Sequence, residues 1–190
     1  MNIEEFKGKL LLTNEIIYFD SDDNFREKSS DLSKLEQFII DAEILLENST
    51  NDKDRYFLRS TLGNFYRIYG QPQKAISHFT NCLNDASENK DIKKEIVTLI
   101  RLGEAWKYDS KQNKALGIFN EALVKCREHN QNEYLDFALQ HKGKCLLELG
   151  RLIEAEYCLL ETLRLRQLKG DISLIESTQQ VINLIEKLKV

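Results

Sequence analysis

The 190-residue sequence predicts an all-α fold: a right-handed α-solenoid of antiparallel helix pairs, closed by a terminal helix. Two observations carry that reading. Gly63, Gly103 and Gly143 recur every 40 residues; each is followed 12 positions later by an alanine (Ala75, Ala115, Ala155), and four further on by a bulky apolar residue (Phe79, Phe119, Leu159). A fixed period of this size marks a stacked repeat. The segments around these residues also carry apolar side chains at helical spacing, with no strand-like alternation of β-branched residues anywhere.

Taken in order, residues 1–50 read as a degenerate first helix pair. Forty residues before Ala75, Phe79 and Cys82 stand Leu35, Ile39 and Ala42, so DLSKLEQFIIDAEILLEN is its second helix. EEFKGKLLLTNEIIYF is expected to form the first helix. The charged SDDNFREKSSD between them has no apolar periodicity and is expected to be a loop. Three repeats follow, at 51–90, 91–130 and 131–170.

The best-preserved repeat shows the design. Leu139, Cys145, Leu146 and Leu149 form one helical face up to Gly150, which ends the helix in a left-handed turn. The second helix runs from about Leu152 to Leu168, with Ala155, Leu159, Leu160, Leu163 and Leu165 assigned to its apolar face. Gly170 then caps it, and Asp171 starts the next helix. Pro72 suits the first turn of a helix in the earlier copy. A mid-helix glycine costs about 1 kcal/mol relative to alanine, so three in register need a packing reason. The expected reason is close crossing: Gly63 on Ala75, Gly103 on Ala115, Gly143 on Ala155. Residues 171–190 read as a capping helix. No Pro/Gly/Ser-rich linker divides the chain, so 1–190 is read as one domain.

These residues resemble the tetratricopeptide repeat family. Leu62-Gly63 with Tyr66, Gly70, Ala75 and Phe79 follows the family pattern, and Leu102-Gly103 with Trp106, Ala115, Phe119 and Ala122 follows it again. The third copy departs from it, with Lys142 in place of the leucine and Thr162 in place of Ala122. The 40-residue period resembles the long variant of kinesin light chains, G-protein-regulator scaffolds and bacterial peptide-sensing regulators. The resemblance covers Tyr56 to Asp171.

Composition narrows the function. With 27 basic and 31 acidic residues the formal charge is −4, which argues against nonspecific nucleic-acid binding. No apolar run is long enough for a membrane span, and the amino terminus does not read as a signal peptide. A cytoplasmic location is expected, with Cys82, Cys126, Cys145 and Cys158 as buried thiols.

Chemistry has few candidates. His78, His129 and His141 show no metal-ligand spacing. His141 and Cys145 share a helix face, but Cys145 reads as core, and no phosphate-cradling or nucleophile-elbow motif occurs. No catalytic residue, cofactor or metal is expected.

The family resemblance implies a partner in a concave groove lined by the first helices of the repeats. The residues it designates are Phe57, Ser60, Asn64 and Arg67; then Val97, Ile100, Glu104, Lys107 and Tyr108; then Phe137, Gln140, Lys144 and Glu148. Asn64, directly after a packing glycine, is the expected backbone clamp. The basic set that family members use for acidic chain ends is incomplete. The expected function is a non-enzymatic adaptor that binds a peptide or helix of another protein, working as a monomer or weak homodimer. An inhibitor or immunity-type protein that blocks a toxin or enzyme is the alternative.

Overall fold

The structure, a computed structural model, describes residues 1–189. Helix α3 spans Asp52–Ile68 and α5 Ile92–Tyr108, while α4 spans Pro72–Glu88 and α6 Gln112–Glu128. Both pairs are displaced by the sequence period. Helix α7 (Leu135–Glu148) is entered through a 3-10 turn at Asn132–Tyr134; α8 (Leu152–Lys169) and α9 (Ile172–Leu188) complete the stack. Each helix from α2 (Leu32–Asn48) onward packs on the next. The fold is an all-α solenoid.

The helix ends explain the regular zigzag. Positive φ occurs at Gly70, Lys90, Ser110, Asn130, Gly150 and Gly170, one every 20 residues. At such a residue the chain turns back and the next N–H reaches a carbonyl of the last helical turn. Gln71, Asp91, Lys111, Gln131 and Arg151 donate in this way to Tyr66, Ala86, Trp106, Cys126 and Leu146, at 2.8–3.0 Å. Asp171 caps α9 by accepting from the Leu174 N–H.

The repeated glycines serve close packing, with the bulky residue as the nearest neighbour in place of the expected alanine; only at Gly143 does the alanine, through the Ala155 carbonyl at 3.3 Å, also close in. A Cβ on Gly63 would meet the Phe79 ring at 2.6 Å, and one on Gly143 would meet Leu159 Cγ at 2.8 Å; on Gly103 it would strike Phe119. The bulky residue four positions after each alanine fills the notch above the glycine. The alanines are fully buried beside it. Two apolar clusters result, one around α1–α5 and one around α5–α9, joined where Leu83, Trp106 and Ile118 touch both.

The amino-terminal expectation fails. In place of one long helix there is a short α1 (Ile3–Lys9), capped by Asn2 and Glu5, followed by a 3-10 turn at Leu10–Glu15. A β-hairpin then forms where a helix end and a loop were expected. Strand β1 (Ile17–Asp20) pairs antiparallel with β2 (Arg26–Ser29), Phe19 opposite Glu27 and Asp20 opposite Arg26. Ile17, Tyr18 and Phe19 favour a strand. The Asp20 side chain accepts from the Asp22 N–H to start the turn, and Lys28 bridges Asp20 and Asp23 at 2.8 and 2.9 Å to hold it. Leu160, assigned above to the apolar inner face of α8, is half exposed.

Candidate functional site

Helices α3, α5 and α7 line the concave face, and the hairpin lies in it. Arg26 forks onto Glu148 of α7, Nε to Oε1 at 2.9 Å and Nη2 to Oε2 at 2.7 Å. Glu27 pairs with Arg67 of α3. The Glu27 N–H donates to the Tyr108 hydroxyl of α5 at 2.6 Å, and that hydroxyl lies 3.3 Å from the Glu27 carbonyl. Lys144 Nζ donates to the Phe25 carbonyl at 2.9 Å and sits over the Phe19 ring. Three stacked helices thus grip one short strand.

Beneath the hairpin runs a chain of buried charges. Arg67 is 5% exposed and lies over the Tyr108 ring, while Lys107, 1% exposed, reaches Glu104 at 2.9 Å and Glu148 at 3.6 Å. Burial raises the Glu104 carboxyl, but Lys107, His141 and Arg67 together hold it well below the usual range. Burial, reinforced by Lys107, pushes the Lys144 ammonium down to about 8.

The charges are not balanced. Glu27, Glu104 and Glu148 are taken up by Arg26, Arg67 and Lys107. Among the described residues no carboxylate comes within ion-pair distance of Lys144 or of Arg101, whose guanidinium donates to Ser60 Oγ and is pushed down by burial. Arg67 Nε and Nη1 and Gln140 Oε1 are buried without hydrogen-bond partners. A buried polar atom without a partner costs about 1–3 kcal/mol, so these atoms define a place where a ligand would be stabilised.

The hairpin divides the groove into two clefts. The cleft on the side of the α3–α4 turn, about 560 Å³, is lined by Arg26, Glu27, Lys28, Tyr69 and Gln73. The other, about 620 Å³, is walled by Asn64, Ile100, Phe137 and Gln140, with Ile17 and Phe19 of the hairpin side and the amino end of α9. Arg67, Arg101, Glu104 and Lys144 also reach it.

The groove residues therefore fall into three groups. Asn64, Ile100, Glu104, Phe137, Gln140 and Lys144 are gathered at the larger cleft. Arg67, Lys107, Tyr108 and Glu148 hold the hairpin or the charges beneath it. Phe57 and Ser60 stand apart: Lys7 of α1 lies over the Phe57 ring, and Ser60 is buried under Arg101. Sequence reasoning missed Arg101, Arg26 and Glu27. The β-branched and aromatic run at 16–19 before an Asp/Asn-rich turn was the signal available for the hairpin; Arg101 had none.

Nucleophilic chemistry at Cys145 has no geometric support. Its thiol donates to the Gln112 carbonyl at 3.4 Å and burial pushes it up to about 12, while His141 Nδ1 lies 3.0 Å from Glu104. All four cysteines are buried and unpaired. Among the described residues no three His, Cys, Asp or Glu side chains gather as a metal site, and no helix is long and apolar enough to cross a membrane.

Neither a known family profile nor a curated protein matches the sequence. Solved structures do match the fold. The apo form of RapI superposes with a TM-score of 0.70 at 15% identity, over 83% of this chain and 58% of its own. PlcR of Bacillus thuringiensis, solved with the peptide PapR7 and DNA, gives 0.67 at 17% identity over 78% of this chain and 54% of its own. The TPR domain of Arabidopsis FLU gives 0.57 at 21% identity, over 64% of this chain and all of its own. This is a tetratricopeptide-like repeat fold. The repeat chain spans little more than half the length of RapI and PlcR. The repeat architecture supplies the concave face, and the hairpin β1–β2 lies in it.

Proposed function

We propose that this chain is a non-enzymatic adaptor of the cytoplasm that holds a peptide segment of another protein in the larger concave cleft, roofed by its own hairpin. The observation that carries the reading is the set of unsatisfied groups there: two cations without carboxylates, and the partnerless atoms of Arg67 and Gln140, beside the apolar Ile100 and Phe137. An extended segment with an acidic side chain next to an apolar one satisfies both kinds of surface. Asn64 supplies a donor and an acceptor for its backbone. That PlcR was solved with a peptide supports this use of the fold.

Arg67 and Lys144 are poor probes, because each also touches the hairpin, so a change in binding could not be assigned to the cleft alone. Selection of displayed peptides on the full chain, followed by titration against Asn64→Ala and Phe137→Ala, tests the reading directly. Selected peptides should be rich in Asp or Glu beside an apolar residue and should lose affinity about tenfold on either substitution. Selected peptides that bind both variants as well as the parent chain would remove the cleft from consideration.

A further inference from the structure

Helix α8 carries an apolar stripe on its outward face that the repeat does not require. Ile153, Tyr157 and Leu168 are 78%, 76% and 74% exposed, and Leu160 is 50% exposed. With Arg164 they fall at helical spacing along one side of α8. The repeat supplies an internal control. Forty residues earlier the same positions on α6 are Asn113, Gly117, Asn120, Val124 and Glu128, and on α4 they are Gln73, Ser77, Thr80, Asn84 and Glu88. On α4 all five are polar, on α6 only Val124 is a large apolar residue, and on α2 only Ile40 and Ile44 are, none of them more than 54% exposed, so the run of three apolar side chains over 70% exposed is particular to α8.

We propose that this stripe is the contact between two copies of the chain, with α8 lying antiparallel to the partner's α8 across a two-fold axis between Leu160 and Glu161. Residues whose numbers sum to 321 then face each other. Ile153 meets Leu168, Tyr157 meets Arg164, and Leu160 packs across the axis on the aliphatic stem of Glu161. Arg164 thus lands on the only aromatic ring of the stripe, a cation–π contact. A parallel arrangement would set Arg164 against itself. Glu161, at the axis, is neutralised within its own chain by Arg164, Oε1 to Nη2 at 2.7 Å and Oε2 to Nε at 2.9 Å. A two-fold contact of this kind closes on itself and leads to a dimer rather than a filament. One helix pair lies near the lower limit for a specific interface, so the dimer forms in the micromolar range and dissociates on dilution.

Sedimentation velocity over a concentration series tests this with the full chain. The parent should pass from monomer to dimer. Tyr157→Arg sets arginine against arginine and should weaken the dimer at least about tenfold, and Tyr157→Arg with Arg164→Glu should recover most of that loss. Both positions are exposed, and unchanged circular dichroism confirms that the fold is intact. A chain that stays monomeric at every concentration, a dimer indifferent to Tyr157→Arg, or a charge reversal that recovers nothing would each overturn the proposal.

Discussion

Arg26 and Glu148 stand 122 residues apart in the chain and form a two-pronged ion pair in the concave face, at 2.9 and 2.7 Å. This pair ties the first part of the chain to the last full repeat, and Lys107 lies 3.6 Å from the same carboxylate. Glu148 is the more deeply buried partner. Its removal leaves two cations facing each other.

Glu148→Ala is therefore expected to cost about 3 kcal/mol, more than Arg26→Ala, whose guanidinium is partly solvated. Urea denaturation gives the two costs. Hydrogen exchange should show the amides of 17–29 losing protection before those of the helices.

Gly103→Ala places a methyl group against the edge of the Phe119 ring, closer than van der Waals contact, so the ring must shift. The better helix propensity of alanine, worth about 1 kcal/mol, is outweighed by overpacking, and a net loss of about 1–2 kcal/mol is expected. Gly103→Ala combined with Phe119→Leu should recover part of the loss. Thermal denaturation of the two single variants and the double variant decides it.

Lys90 and Ser110 hold positive φ, at 54° and 58°; glycine stands at the equivalent of Ser110 in both other repeats (Gly70, Gly150) and at one equivalent of Lys90 (Gly170). Lys90→Gly and Ser110→Gly remove a Cβ from a strained backbone and should each stabilise the chain by about 0.5–1 kcal/mol. Their effects should add, since the two turns are separate. Urea midpoints that fall instead would show that the side chains matter more than the backbone.

Lys144 makes stability depend on pH in the alkaline range. Its ammonium is held down at about 8, against the usual lysine value of 10.5. Between those values the folded chain binds fewer protons than the unfolded chain, so stability rises with pH across the window. Below pH 8 the full cost of the buried charge is present. Lys144→Met should thus stabilise the chain by about 2 kcal/mol at pH 7, after allowing for the lost bond to Phe25. The gain should vanish by pH 10.5, which denaturation at pH 7 and pH 10 would reveal.

The solenoid was legible because its determinants are local and repeated. Glycine, alanine and a bulky residue at offsets of 12 and 16 encode a helix pair wherever they occur, so Phe79, Phe119 and Leu159 could be placed in the core from spacing alone. The turns were only half legible. Gly70, Gly150 and Gly170 announce a left-handed residue, whereas Lys90, Ser110 and Asn130 adopt it because the flanking helices over-determine the turn. The division of the designated groove residues between a hairpin seat and an open cleft was not legible, because it depends on partners as distant as Phe25 and Lys144.

By itself the sequence determined the all-α repeat, its period, the packing notches and the terminal cap, since each follows from side-chain size and helical periodicity within about 20 residues. Only the tertiary structure decided that residues 17–29 form a hairpin lying in the concave face, and that Leu160 points outward. A short charged strand has little reason to form alone. It becomes stable when Arg67, Tyr108, Lys144 and Glu148, from three separate helices, close around Phe25, Arg26 and Glu27, a constellation that no local pattern contains.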